Sequence, residues 1–185
     1  MKAYISFIAF AWCLIGCNKP PAKFATVTDG MQYVSDSKHG FSKDTLLENG
    51  IKVKMQILPA SLVQKTNNPS QKKYLSIQFS YKNRELLAQL PREEYGAYVQ
   101  LFSFGMDRYI HIRSREGKEY QANMVTYQPT YNMGKTNELL AIFDADIVLS
   151  KNLSLIIPEF GLKIGQLNFS IPVDKLNYSP TIDHF

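Results

Sequence analysis

The chain has 185 residues, with 21 Lys and Arg against 16 Asp and Glu, a mild surplus of +5. That length can bury one hydrophobic core as a single domain. With two cysteines it has no disulfide framework to lean on.

Residues 1 to 14 have the layout of an export signal. Lys2 and the amino terminus supply a small positive start, and Ala3 to Leu14 is an apolar run. The run fits a signal h-region and falls short of the roughly 18 apolar residues that a bilayer span needs. No other apolar run approaches that length. The next four residues, Leu14-Ile15-Gly16-Cys17, match the lipobox of bacterial lipoproteins position by position, and the chain resembles that family over its first twenty residues or so. The resemblance implies a lipid on the Cys17 thiol and cleavage between Gly16 and Cys17. The alternatives are an ordinary secretory signal with a chance cysteine, or an uncleaved anchor.

Cleavage would leave 169 of the 185 residues and take Trp12, the only tryptophan, with the leader. Cys17 would be the one remaining cysteine. One acyl chain holds a protein marginally and two hold it stably, so lipid would be the anchor. Residues 17 to 23, with Pro20 and Pro21, read as a lipidated tether, and 24 to 185 as one domain. Asn18 stands where the enterobacterial inner-membrane sorting signal has Asp, and no acidic cluster follows Cys17. The expected place is the cell envelope, on the outer membrane and facing the periplasm. In general character the chain resembles small envelope lipoproteins of Bacteroidota. Asp44-Thr45-Leu46 is similar to the short O-glycan acceptor of exported proteins in that group.

Beyond the tether, residues 29 to 50 carry Asp29-Gly30, His39-Gly40 and Asn49-Gly50 and read as an irregular arm or an edge hairpin. Three segments then alternate with period two, the mark of half-buried strands. Ile51, Val53, Met55 and Ile57 share one face. So do Leu75, Ile77, Phe79 and Tyr81, and later Leu167, Phe169, Ile171 and Val173. Pro91, Glu93 and Glu94 suit a helix start, and Gly105 its end. Tyr95, Tyr98, Val99 and Phe102 fall at helical spacing, so 91 to 104 reads as a short helix packed through that stripe, with a strand over 97 to 104 as the alternative. Ile110 and Ile112 begin a hairpin arm that turns at Glu116-Gly117 and returns over 119 to 127. Residues 139 to 149 and 153 to 157 are apolar enough for central strands. The expected fold is mainly β: an antiparallel β-sandwich, immunoglobulin-like in its layering at most, with one short helix around 91 to 104.

The chain carries little that points to chemistry. His39, His111 and His184 are far apart and lack metal-ligand spacing. There is no G-x-S-x-G motif. Gly134-Lys135-Thr136 looks like the tail of a phosphate-binding loop, but Pro129 stands where its first glycine belongs. Asp144 and Asp146 would share a face on a strand, without a third acid nearby. No catalytic residue, metal or cofactor is expected, and an exported location disfavours nucleic acid. A hydrolase of unfamiliar type would need a histidine beside a Ser or Asp in a cleft. The candidate binding surface is Arg108, Arg113, Arg115 and Lys118 around the hairpin, with Tyr95 and Tyr98 on the helix. The expected role is a non-enzymatic module that contacts an envelope protein. A pocket for a small molecule or glycan is the alternative.

Overall fold

The computed structural model describes residues 19 to 185 apart from 132, 150 and 151. Gly16 and Cys17, and with them the lipobox and its cleavage point, lie outside the described residues.

The first strand, β1 (Lys23–Thr26), leads straight into helix α1 (Val27–Ser35). Thr26 starts that helix with a reciprocal cap: its hydroxyl oxygen accepts from the Asp29 N–H at 3.1 Å, and its own N–H donates to the Asp29 carboxylate at 3.0 Å. Of the two readings of 29 to 50, the irregular arm is replaced by ordered structure, while the edge hairpin is met in part by the strand that follows. After α1, β2 (Ser42–Leu46) and β3 (Ile51–Leu58) form an antiparallel hairpin, turned by Gly50 at φ 84°. The short helix α2 (Ala60–Gln64) precedes β4 (Lys73–Tyr81). A tight turn with positive φ at both Lys82 and Asn83 then adds β5 (Arg84–Glu85).

Helix α3 (Arg92–Phe104) confirms the helix read around Pro91 and Gly105. Pro91 precedes its first turn, and the Gly105 N–H bonds the Leu101 carbonyl at 2.8 Å. Its stripe is buried at one end only. Phe102 is fully enclosed, Tyr98 and Val99 are half-buried, and Tyr95 is exposed.

The hairpin after α3 pairs β6 (His111–Ser114) with β7 (Glu119–Gln121), turned at Gly117. The return arm expected over 119 to 127 is split. The Ala122 N–H bonds the carbonyl of Ile110, just ahead of β6 in one sheet, while the Asn123 N–H bonds that of Ile142 in the other. β8 (Met124–Tyr127) therefore belongs to the second sheet. β9 (Asn137–Phe143) is a central strand, but it stops before Asp144, and residues Ala145–Leu149 form a 3-10 turn. β10 (Leu153–Ile157) is central in its own sheet and pairs with β11 (Leu167–Ile171). Val173, expected at the end of that strand, instead opens helix α4 (Val173–Leu176), which precedes β12 (Thr181–His184).

The fold is mainly β, as expected, but carries four α-helices among the described residues rather than one. Two antiparallel sheets make a sandwich: β2-β3-β4-β9-β8, with β5 on β4, and β11-β10-β6-β7. A third, two-stranded sheet pairs β1 with β12 in parallel. One contiguous apolar core joins the layers. Phe79 of β4 meets Phe102 of α3 edge-on at 5.5 Å and Phe160, from the segment between β10 and β11, at 5.9 Å. The immunoglobulin likeness stops at the layers, because β2-β3-β4 run as a consecutive meander within one sheet.

Candidate functional site

The six-stranded sheet has two unlike faces. Val53, Phe79 and Leu139 lie on its inner face in the core. Across the middle of its outer face Gln56, Ser76, Leu140 and Thr126 stand opposite one another strand by strand, three polar residues and one leucine. Helices α1 and α2 cover one part of that face, α1 against β3 and α2 against β4. They pack tightly on each other at Gly30, where a β-carbon would stand 2.5 Å from Leu62 Cδ2.

Where this roof ends, over β9 and β8, a cleft of about 450 Å³ opens. Val27 and Met31 of α1, with Leu62 and Val63 of α2, form its apolar wall, and Leu140 and Thr126 are on the sheet side. Glu138 is its one carboxylate. It accepts a hydrogen bond from the Ser76 hydroxyl and a longer one, 3.4 Å, from the Gln78 amide.

A second hollow of about 220 Å³ continues along the same face, and Thr136 lines both. Three lysines line the second hollow: Lys52, Lys54 and Lys135. Lys52 is paired with Asp44 at 2.7 Å. Lys54 donates to the Ser35 carbonyl at 3.2 Å, so its charge meets no carboxylate there. Lys135 is exposed and has no hydrogen bond or ion pair among the described residues.

The segment between β8 and β9 carries Lys135 and Thr136, and a buried acid holds it in place. Glu85 accepts from the Thr130 hydroxyl, from the Gly134 N–H at 2.9 Å and from the Asn137 amide at 3.4 Å. Asn137 in turn takes the Leu87 N–H at 2.8 Å and donates to the Tyr127 hydroxyl at 3.1 Å. Burial pushes the Tyr127 hydroxyl above the usual tyrosine range. The Asn137 bond opposes this, while Glu85, Tyr95 and Tyr131 add to it. Gly134-Lys135-Thr136 thus leads into strand β9, and its one glycine N–H is spent on Glu85.

The residues named from the sequence are scattered. Arg113 and Arg115 share a shallow groove of about 500 Å³ on the outer face of the four-stranded sheet, with Ser154, Asn168 and Ser170. Arg113 is held by Glu119, with contacts of 2.8 Å from Nε and 2.5 Å from Nη2. Lys118 is outside that groove, with its ammonium 4.6 Å from the centre of the Tyr120 ring. Arg108, beyond the end of α3, lies over Tyr109 at 6.0 Å. Tyr95 and Tyr98 do not line the groove either. Tyr98 packs its hydroxyl at Gly161, and burial, with Glu94 and Glu159 nearby, raises its pKa.

His39 stacks on Tyr33 at 3.8 Å, His111 is half-buried on β6, and His184 is exposed on β12. Asp144 and Asp146 do not share a strand face, and Asp144 accepts from the Asn123 amide at 2.8 Å. Among the described residues no three His, Cys, Asp or Glu gather as metal ligands, and no helix is long and apolar enough to cross a membrane.

Sequence reasoning did not find the cleft, because its wall is built by α1 and α2. The signal that would have found it is the spacing of Thr26 and Asp29 just ahead of Val27, Met31 and Val34. No protein-family model, curated protein or solved structure matches this chain.

Proposed function

We propose that the protein is an exported lipoprotein, held on the outer membrane facing the periplasm by lipid on Cys17, whose domain binds a small ligand on the outer face of its six-stranded sheet. The observation that carries the binding reading is the cleft of about 450 Å³ under α1 and α2. Its volume lies within the range of small-molecule sites, roughly 300–1,000 Å³, and its lining has the usual mixture of apolar wall and a few polar groups. The anchoring reading rests on the resemblance of residues 14 to 17 to a lipobox.

Each part has its own test. Cys17→Ala should abolish metabolic palmitate labelling, and persistent labelling would refute the anchor. For the cleft, the lipidated protein is purified from its own envelope and co-purifying small molecules are identified by mass spectrometry. Met31→Trp fills the cleft from the helix side and Thr126→Trp from the sheet side. A compound present with the wild type and depleted in both variants supports the reading. The same compounds in all three, with unchanged circular dichroism, would overturn it.

A second reading, a surface for an envelope protein, is favoured by the exposed aromatic groups on and beside α3. Tyr95 and Tyr131 are both within electrostatic reach of the Tyr127 hydroxyl, and Phe104 is 84% exposed.

A further inference from the structure

The two hollows on the outer face differ in character and are joined at Thr136. We infer that they act as one trough for a single-chain amphiphile with an anionic head: the chain lies under α1 and α2, and the head sits between Lys54 and Lys135. This rests on the binding reading above and adds the chemistry of the ligand.

Three observations carry it. First, the apolar side chains are all at one end, where Val27, Met31, Leu62 and Val63 face Leu140, and the second hollow has none of them. Second, the charge at the other end is uncompensated. Of its three lysines only Lys52 has a carboxylate partner, and Lys54 reaches a neutral carbonyl. A half-buried cation, Lys54, and an exposed one, Lys135, facing one hollow favour an anion there, and charge-assisted hydrogen bonds are the strong ones. Third, Glu138, the one carboxylate lining either hollow, is turned to Ser76 and Gln78, so part of its hydrogen-bonding capacity is met within the sheet. A neutral sugar would leave the lysines unused, and a small inorganic anion would leave the apolar end empty.

Lys65 is on the rim of the first hollow and offers the rival place for the head. It is exposed, as Lys135 is, so reversing either charge leaves the core untouched.

The experiment uses the full lipidated chain in nanodiscs of phosphatidylethanolamine. The probe is dodecanoate carrying a diazirine at its far end, with the matching amide as neutral probe. Partition into the discs is the same for every variant, so differences in crosslink yield report on the protein. Wild type should crosslink within the peptides that carry residues 27 to 34 and 58 to 65. Lys135→Glu should lower that yield about tenfold, in line with the loss of one charge-assisted contact, while Lys65→Glu changes it little. The amide should label weakly and be indifferent to Lys135→Glu. Lengthening the competing alkyl carboxylate should improve displacement by about fourfold per methylene until the trough is full. Dodecanoate and dodecyl phosphate as competitors then tell a fatty acid from a single-chain phosphate lipid by which displaces the probe at lower concentration.

Crosslinks in the cleft that ignore Lys135→Glu, or that fall only in Lys65→Glu, would overturn the placement of the head while leaving the cleft a binding site. A co-purified compound depleted by Met31→Trp, with no cleft crosslinks from the carboxylate, would overturn the anionic amphiphile alone. No cleft crosslinks and no co-purified compound would remove the binding reading and this inference together.

Discussion

Two glutamates with opposite exposure do similar work in the loops. Glu159 is exposed, yet its carboxylate accepts from the N–H groups of Gly161 at 2.7 Å, Lys163 at 3.0 Å and Gly165 at 2.7 Å. Partial burial would raise its pKa, but these backbone bonds outweigh it and hold the carboxyl below its ordinary value of 4.5. A carboxyl depressed in the folded state contributes stability above its unfolded pKa and loses it as pH falls through the folded one. Glu159→Gln should therefore cost about 1 kcal/mol at pH 7, the charge-assisted figure discounted for solvent screening. The gap to wild type should close as pH falls below the ordinary carboxyl range, and urea midpoints across pH 7 to 3 measure it. A gap that stays constant would mean that shape, not charge, holds this loop. Glu85 is buried, and its carboxylate accepts from Thr130, Gly134 and Asn137. Glu85→Gln must turn an NH₂ group toward one of them, so about 1–3 kcal/mol should be lost. Because that network carries the segment with Lys135 and Thr136, trough binding should weaken in the same variant. Calorimetry together with probe crosslinking reads both effects, and unchanged binding in a destabilised variant would show that the network is structural only.

At the scale of elements, periodicity tells how a strand is made but not which sheet takes it. The alternating runs over 51 to 57 and 75 to 81 became β3 and β4, where pairing is antiparallel and in register over their whole length. The run over 119 to 127 bends at Asn123 as it changes sheets, and nothing in its residue pattern marked that bend. Helix α1 was hidden by Asp29-Gly30, a pair that also signals a turn. Gly30 is inside the helix for a packing reason that only the fold reveals, the close approach of Leu62. The candidate site was less legible than the strands, because the trough is assembled from α1, α2, β3, β4, β8 and β9 and no single stretch carries its pattern. The same contact gives a test. Gly30→Ala gains helix propensity of up to about 1 kcal/mol, but it pushes a methyl into a fully packed leucine, and overpacking costs about 1–3 kcal/mol. A net loss near 1 kcal/mol is expected, with part of it recovered by Leu62→Val in the same chain. Thermal melts of the four proteins of that cycle decide it. A stabilised single variant would show that α1 can shift away from α2 at no cost, and that the roof of the trough is not rigid.

At the scale of the molecule, the two ends of the described chain are tied together. β1 and β12 pair in parallel, Lys23 bridges Asp183 at 2.7 Å, and the Tyr178 hydroxyl donates to the Pro21 carbonyl. Of the stretch read as tether, Pro21 to Lys23 thus lies against the domain. Asn67 locks the far side of β12 by bonding both the N–H of Ile182, at 2.8 Å, and its carbonyl, at 2.9 Å. An anchor at Cys17 is six residues from Lys23, so it can be no more than about 20 Å away. β1 runs directly into α1, the wall of the trough. A lipid anchor would therefore set where the trough stands relative to the bilayer, provided β12 holds β1 in place. Deleting residues 181 to 185 removes the buried Ile182 and leaves both Asn67 and β1 without partners. The expected cost is about 2–4 kcal/mol. Trypsin should then cut after Lys23 much faster than in wild type, where the bond is paired. The preceding Lys19 is followed by Pro20 and resists trypsin in both, which makes Lys23 a clean reporter. Equal cutting in the two proteins would mean that β1 is held by α1 and its cap alone, and that the trough keeps its place near the anchored end without β12.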